Sequence, residues 1–93
     1  MIEIIWAEEA KIQYLKVIGF LFDKWGEQVA FDFEDKVKKI EALISTGTIK
    51  FSYSKTLGLE KCVIDEYNSL ILNRNNNTIQ IIAFIDNRSD HIF

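Results

Sequence analysis

"CVIDEYNSLILNRNNNTIQIIAFIDNRSD" (residues 62–90) holds three apolar runs separated by two polar breaks. The first run belongs to a strand expected over Leu59 to Ile64, and Asp65-Glu66-Tyr67-Asn68 supply turn chemistry. Ser69 to Arg74 read as a second strand. Asn75-Asn76-Asn77 are a turn signal, because asparagine tolerates positive φ, and Thr78 to Ile85 read as a third strand. Connections this short join antiparallel neighbours, so the stretch is a meander. Its last strand runs directly into Asp86, Asn87, Arg88, Ser89, Asp90 and His91, a polar cluster that the strand aims.

Ahead of the meander the period changes. Residues 2–6 (IEIIW) read as a short strand. Ala10, Tyr14, Val17, Leu21 and Trp25 then recur at three- and four-residue spacing, the signature of one helix face. Gly26 is placed where a helix end takes a left-handed residue. A second helical stripe follows at Val29, Phe33, Val37, Ile40 and Ile44, with Gly47 as its expected stop. Its other face sets Asp32, Glu34 and Asp35 four residues before Lys36, Lys38 and Lys39, the favourable order for a solvated helix surface. Two helices joined at Trp25-Gly26-Glu27 make a hairpin. Residues 48–56 (TIKFSYSKT) are mixed and loop-like, with room for a short extended piece. The order β-α-α-β-β-β is α+β: a helical hairpin on a small, mainly antiparallel sheet, expected as a single domain over residues 1–93.

Leu15, Ile18, Phe20 and Phe22 add apolar groups around the core stripe of the first helix. A helix apolar on most sides is either deeply buried or covered by a partner.

Almost half of the 93 residues are apolar, enough for a core without staples. The lone cysteine, Cys62, lies in an apolar run and reads as a buried thiol; it permits no internal disulfide framework. Met1 is followed by no basic n-region, and no run approaches the roughly 20 apolar residues that span a bilayer. A cytoplasmic protein without membrane contact is expected. The net charge is −3, with nine acids and six lysines in residues 1–47 and five of each sign thereafter. No polybasic groove for nucleic acid follows from that balance, so any such contact needs a few focused cations.

Several chemistries drop out. One His and one Cys cannot build a common four-ligand zinc site, and four scattered glycines form no phosphate loop. Ser89, Asp90 and His91 are sequence neighbours that point different ways at a strand end, which disfavours a triad. No cofactor is expected. What remains is a set of cations: Lys61 on the first meander strand, Arg74 ending the second and Arg88 just past the third. Lys50 and Lys55 lie before the sheet and His91 beyond it. Strand ends converging on one face could hold a phosphate and stabilise a phosphorane; the alternative is a solubilising surface paired with Glu60, Asp65, Asp86 or Asp90.

These residues resemble the RelE/ParE superfamily of toxins from type II toxin–antitoxin systems, closest to the plasmid-stabilisation branch. The resemblance covers nearly the whole chain. It is carried by the strand closing in Trp6, by "AEEAKIQYLKVIGFLFDKWGE" as the first helix, by "CVIDEYNSLIL", and above all by "TIQIIAFIDNRSD", an apolar strand followed by Asp-Asn-Arg and then Asp. It implies a toxin that arrests growth by inhibiting DNA gyrase and replication, or translation, and that a cognate antitoxin neutralises. In its ribonuclease members strand-borne cations promote attack of a ribose 2′-hydroxyl on the adjacent phosphate of ribosome-bound mRNA, without metal. Arg88 would be the strand-end arginine and Lys61 a supporting cation, with Arg74 and His91 as further catalytic candidates. Leu15, Ile18 and Phe22 are implied antitoxin contacts. Asp86 and Asn87 would fix the turn or join that interface, with Asp86 orienting Arg88. The lack of Pro in "TIKFSYSK" departs from the family, and the acidic balance and the short tail after Asp90 depart from its ribonuclease members. They favour a toxin that acts by binding. An mRNA endonuclease and an inactive member that only binds antitoxin are the alternatives, and both a homodimer and a toxin–antitoxin hetero-oligomer are compatible with the sequence.

Overall fold

The structure, a computed structural model, describes residues 2–46, 52–55 and 58–87. Its elements are β1 (Glu3–Trp6), α1 (Glu8–Trp25), α2 (Glu27–Ser45), β2 (Ser52–Ser54), β3 (Leu59–Val63), β4 (Asn68–Arg74) and β5 (Thr78–Asp86). The α+β class and the helix pair stand as read. The short extended piece is β2, which makes the order β-α-α-β-β-β-β.

One residue separates the two helices. Gly26 takes φ 97°, a left-handed value that side chains with a Cβ rarely adopt. It serves both helices: its N–H donates to the Phe22 carbonyl at 3.0 Å, and its own carbonyl accepts from the Ala30 N–H at 3.3 Å. So tight a joint fixes how α2 is rotated. Ala30, not Val29, turns inward: Ala30 is 2% exposed and Val29 41%. Phe33, Val37 and Ile44 follow it into the core, with Ile40 packed partly against them. Trp25, at the last turn of α1, is not in the core either; it is exposed. The α2 helix ends at Ser45, where the Thr46 hydroxyl donates to the Leu43 carbonyl at 2.6 Å. The expected stop, Gly47, lies outside the described residues. Of the three acid–lysine pairs read along α2, Glu34–Lys38 closes, at 3.7 Å, while Asp32 accepts from Gln28 Nε2 instead. Exposed pairs of this kind contribute about 0.3–0.5 kcal/mol.

The strand order is β1-β5-β4-β3-β2. β2 to β5 are antiparallel neighbours, and β1 lies parallel to β5, from Glu3 opposite Thr78 to Trp6 opposite Ile81. One face of this sheet packs on the helices. Cys62, Leu70, Leu72, Ile79, Ile81 and Phe84 meet Ala10, Phe33, Val37 and Ile44 there.

Strict alternation along β5 would put Phe84 on the opposite face from Ile79 and Ile81. A bulge prevents this. Ile71 pairs with Ala83 while Leu72 pairs with Ile81, so Ile82 is an extra residue in β5. Phe84 thereby returns to the helix side, with its ring 5.5 Å from that of Tyr14 and 6.1 Å from that of Phe33. The Phe84 N–H donates to Gln13 Oε1 at 2.8 Å, a hydrogen bond that ties α1 to the strand just after the bulge.

Candidate partner-binding groove and sheet face

The bulge carries the helix-side parity on to Asp86, which borders a concavity. A groove of about 690 Å³ opens between α1 and the end of β5. Val17, Phe20, Leu21 and Trp25 form one wall, and Tyr67 and Phe84 lie opposite. Lys16 and Asp86 bring one charge of each sign to it. Apolar walls with a few polar groups are the usual makeup of a recognition site. Phe20 (58%) and Trp25 (64%) are too exposed for groups whose only task is to fill a core.

The strand exit beside the groove is tied down by side chains. Asp65 Oδ1 accepts from the backbone N–H groups of Tyr67 and Asn68, at 2.8 and 2.9 Å, and so shapes the β3–β4 turn. Asn87 then reaches across to that turn. Its N–H donates to the Tyr67 carbonyl at 2.7 Å and its Nδ2 to the Asp65 carbonyl at 2.9 Å, while its Oδ1 accepts from Ser69 Oγ. Ser69 is fully buried, and this bond satisfies its hydroxyl.

The two expected catalytic cations among the described residues, Lys61 and Arg74, lie on opposite faces of the sheet. Arg74 donates to Glu60 through Nε at 2.7 Å and Nη2 at 3.0 Å, a bidentate pair that holds the guanidinium charged and raises its pKa. Its parity is that of Leu72, on the helix side of the sheet. Lys61 pairs with Ile71 across β3 and β4, on the opposite face, since its neighbour Cys62 points to the core. The structure therefore does not bring Lys61 and Arg74 together. Arg88, His91 and Lys50 lie outside the described residues, as do Ser89 and Asp90. Of the expected partner contacts, Leu15 and Phe22 are exposed, Ile18 packs partly on the core, Asp86 lines the groove and Asn87 makes the bonds above. Sequence reading missed Gln13, Ser69 and the groove role of Trp25. A polar Gln13 beside the apolar helix stripe was the available signal for the first. Among the described residues, no three His, Cys, Asp or Glu side chains cluster as a metal site, and no helix is long and apolar enough to cross a membrane.

The buried Cys62 and the part-buried Tyr14 both hold their protons to high pH. Burial pushes the Cys62 thiol up to about 11. Burial, reinforced by Glu34 and Glu41, pushes the Tyr14 phenol up to about 12. Both folded-state values lie above the unfolded ones of 9.0 and 10.0, so the folded chain holds these protons longer. Stability is intact below about pH 9 and falls as pH rises through about 11 to 12. Denaturant titrations from pH 8 upward should show this alkaline decline, and its early part should vanish in Cys62→Val. At neutral pH Cys62 should react with a thiol reagent at the rate of unfolding; fast labelling of the native chain would contradict its burial.

This architecture, a helical hairpin on a mainly antiparallel sheet, is also found in a solved structure. A chain of the chromosomal ParDE TA system from P. aeruginosa shares it with a TM-score of 0.72, covering 92% of this chain and 96% of that one at 16% identity. No family model matches the chain, and neither does any curated protein.

Proposed function

We propose that the chain is the toxin of a toxin–antitoxin system, acting by binding to DNA gyrase or another replication or translation component. The observation that carries this reading is the fold held in common with the ParDE chain over nearly the full length of both. The groove supports a neutralising partner: an antitoxin segment seats apolar side chains against Phe20 and Trp25 and passes Asp86 at the strand exit. Commitment of Arg74 to Glu60 weighs against a cation-dense nuclease site. The second reading, a metal-independent mRNA endonuclease centred on Arg88, draws on Lys61, which faces away from the helices.

The test is to induce the chain without an antitoxin. Growth is followed while mRNA 5′ ends are mapped and gyrase supercoiling is assayed, beside an Arg88→Ala control. Arrest with intact mRNA and inhibited supercoiling is the expected result. Cleavage within translated codons, lost in Arg88→Ala, would replace the binding reading with the nuclease. Unimpaired growth would leave only an antitoxin-binding domain.

A further inference from the structure

The side of α1 turned away from the core carries an apolar stripe that neither the core nor the groove uses, flanked by Lys16, which also borders the groove. At 3.6 residues per turn Ile12, Leu15, Gly19 and Phe22 fall within about 80° of one another. Ile12, Leu15 and Phe22 are 43%, 63% and 50% exposed. Gly19 sits at the middle of this stripe, in a helix interior, where glycine is the poorest ordinary helix former. Packing within the chain gives no reason for it: a Cβ built there meets no heavy atom within 4 Å. A bare backbone flanked by exposed apolar side chains is what a closely crossing second helix requires.

The residues around Gly19 say which helix. Lys16 and Asp23 lie together on one edge of the stripe, and Leu15 and Phe22 on the other. In an antiparallel pair related by a twofold axis through Gly19, each edge meets the same edge of the other copy. Lys16 lies about 4.5 Å before the axis and Asp23 about 6 Å after it. Lys16 of each copy therefore meets Asp23 of the other, and Leu15 meets Phe22 likewise, each pair occurring twice. Among the described residues, neither Lys16 nor Asp23 has a partner within its own chain. The face is self-complementary in charge and in apolar shape, as an isologous interface demands.

We propose that the outer face of α1 is a homodimer interface, in which two α1 helices cross antiparallel at Gly19. One helix face is small beside the ~800 Å² per partner of a standard interface, so the dimer is weak and concentration-dependent. The proposal does not depend on the toxin reading.

Sedimentation equilibrium on the purified chain tests it, with charge swaps. Lys16→Asp alone sets two repulsions in place of two attractions and should weaken dimerisation about tenfold or more. Asp23→Lys should do the same. The double swap restores opposite charges across the axis and should recover the wild-type constant to within about threefold. All these sites are exposed, so thermal melts of the variants should match the wild type and confirm the fold. Gly19→Ala should move two readouts in opposite directions: a higher melting temperature for the dilute monomer, and weaker association. A chain that stays monomeric at the highest attainable concentration overturns the proposal. So does a dimer indifferent to the swaps, which would place its interface elsewhere. Amide protection of Leu15–Phe22 that appears only on adding antitoxin would also overturn it and assign the face to that partner.

Discussion

Phe84→Ala should remove about 3–5 kcal/mol from the free energy of unfolding, the range for deleting a buried aromatic ring. That is a large part of the roughly 5–15 kcal/mol that holds a domain folded. The position of the ring sets this cost. Phe84 is 4% exposed and touches one aromatic from each helix, Tyr14 on α1 and Phe33 on α2. Removing it leaves a void between three elements that cannot all collapse into it, because the Gly26 joint fixes the helices relative to each other. Phe84 also lines the groove, so the void opens towards it. Phe84→Leu, which keeps most of the volume, should cost much less, about 1–2 kcal/mol. Urea denaturation of the two variants against the wild type measures the difference. A loss below about 1 kcal/mol for Phe84→Ala would mean that the helices find another way to close, and that this ring is not where they meet the sheet.

The same residue marks the limit of what the sequence displays. The helices were legible because their apolar spacing is local and strong, and because a glycine with positive φ ends one and begins the other. The meander was legible because turn-forming Asp and Asn residues punctuate it. The exceptions have non-local causes. Val29 and Ala30 exchange places because a one-residue joint sets the rotation of α2, which a helical wheel cannot foresee. The pairing of β1 with β5 joins the first and last elements, and nothing in "IEIIW" announces a parallel neighbour. The bulge at Ile82 hides inside an unbroken apolar run, where either parity looks equally good. The site was less legible still. Gln13 meets Phe84 across 71 positions, and Ser69 meets Asn87 across 18. Turn residues reveal themselves one at a time; a contact between two distant turns does not.

Asn87→Ala should cost about 2–3 kcal/mol, although the residue lies at the end of a strand and is partly accessible. Among the described residues its side chain is the one partner of the Ser69 hydroxyl, and it also holds the Asp65 carbonyl at 2.9 Å. Truncation strands a fully buried hydroxyl, and an unmet buried polar group costs more than the bond itself was worth. Ser69→Ala, which removes the needy group, should cost about 1 kcal/mol. Together the two substitutions should cost less than the sum of the singles by about 1 kcal/mol, since the second removes the orphan created by the first. Strict additivity would show that the bond is not made in solution. The consequence reaches beyond stability, because Asn87 is where β5 leaves the sheet and Arg88 is the next residue. With the side-chain bridge to the β3–β4 turn cut, position 87 is held to that turn by its backbone N–H to the Tyr67 carbonyl. If Arg88 serves a target or a partner, Asn87→Ala should weaken that activity at temperatures well below its own melting point. Asn87→Asp keeps the acceptor for Ser69 but sets a carboxylate against the Asp65 carbonyl in place of a donor. It should therefore fall between Asn87→Ala and the wild type in both stability and activity, and the gap between them should narrow as the carboxylate protonates at low pH.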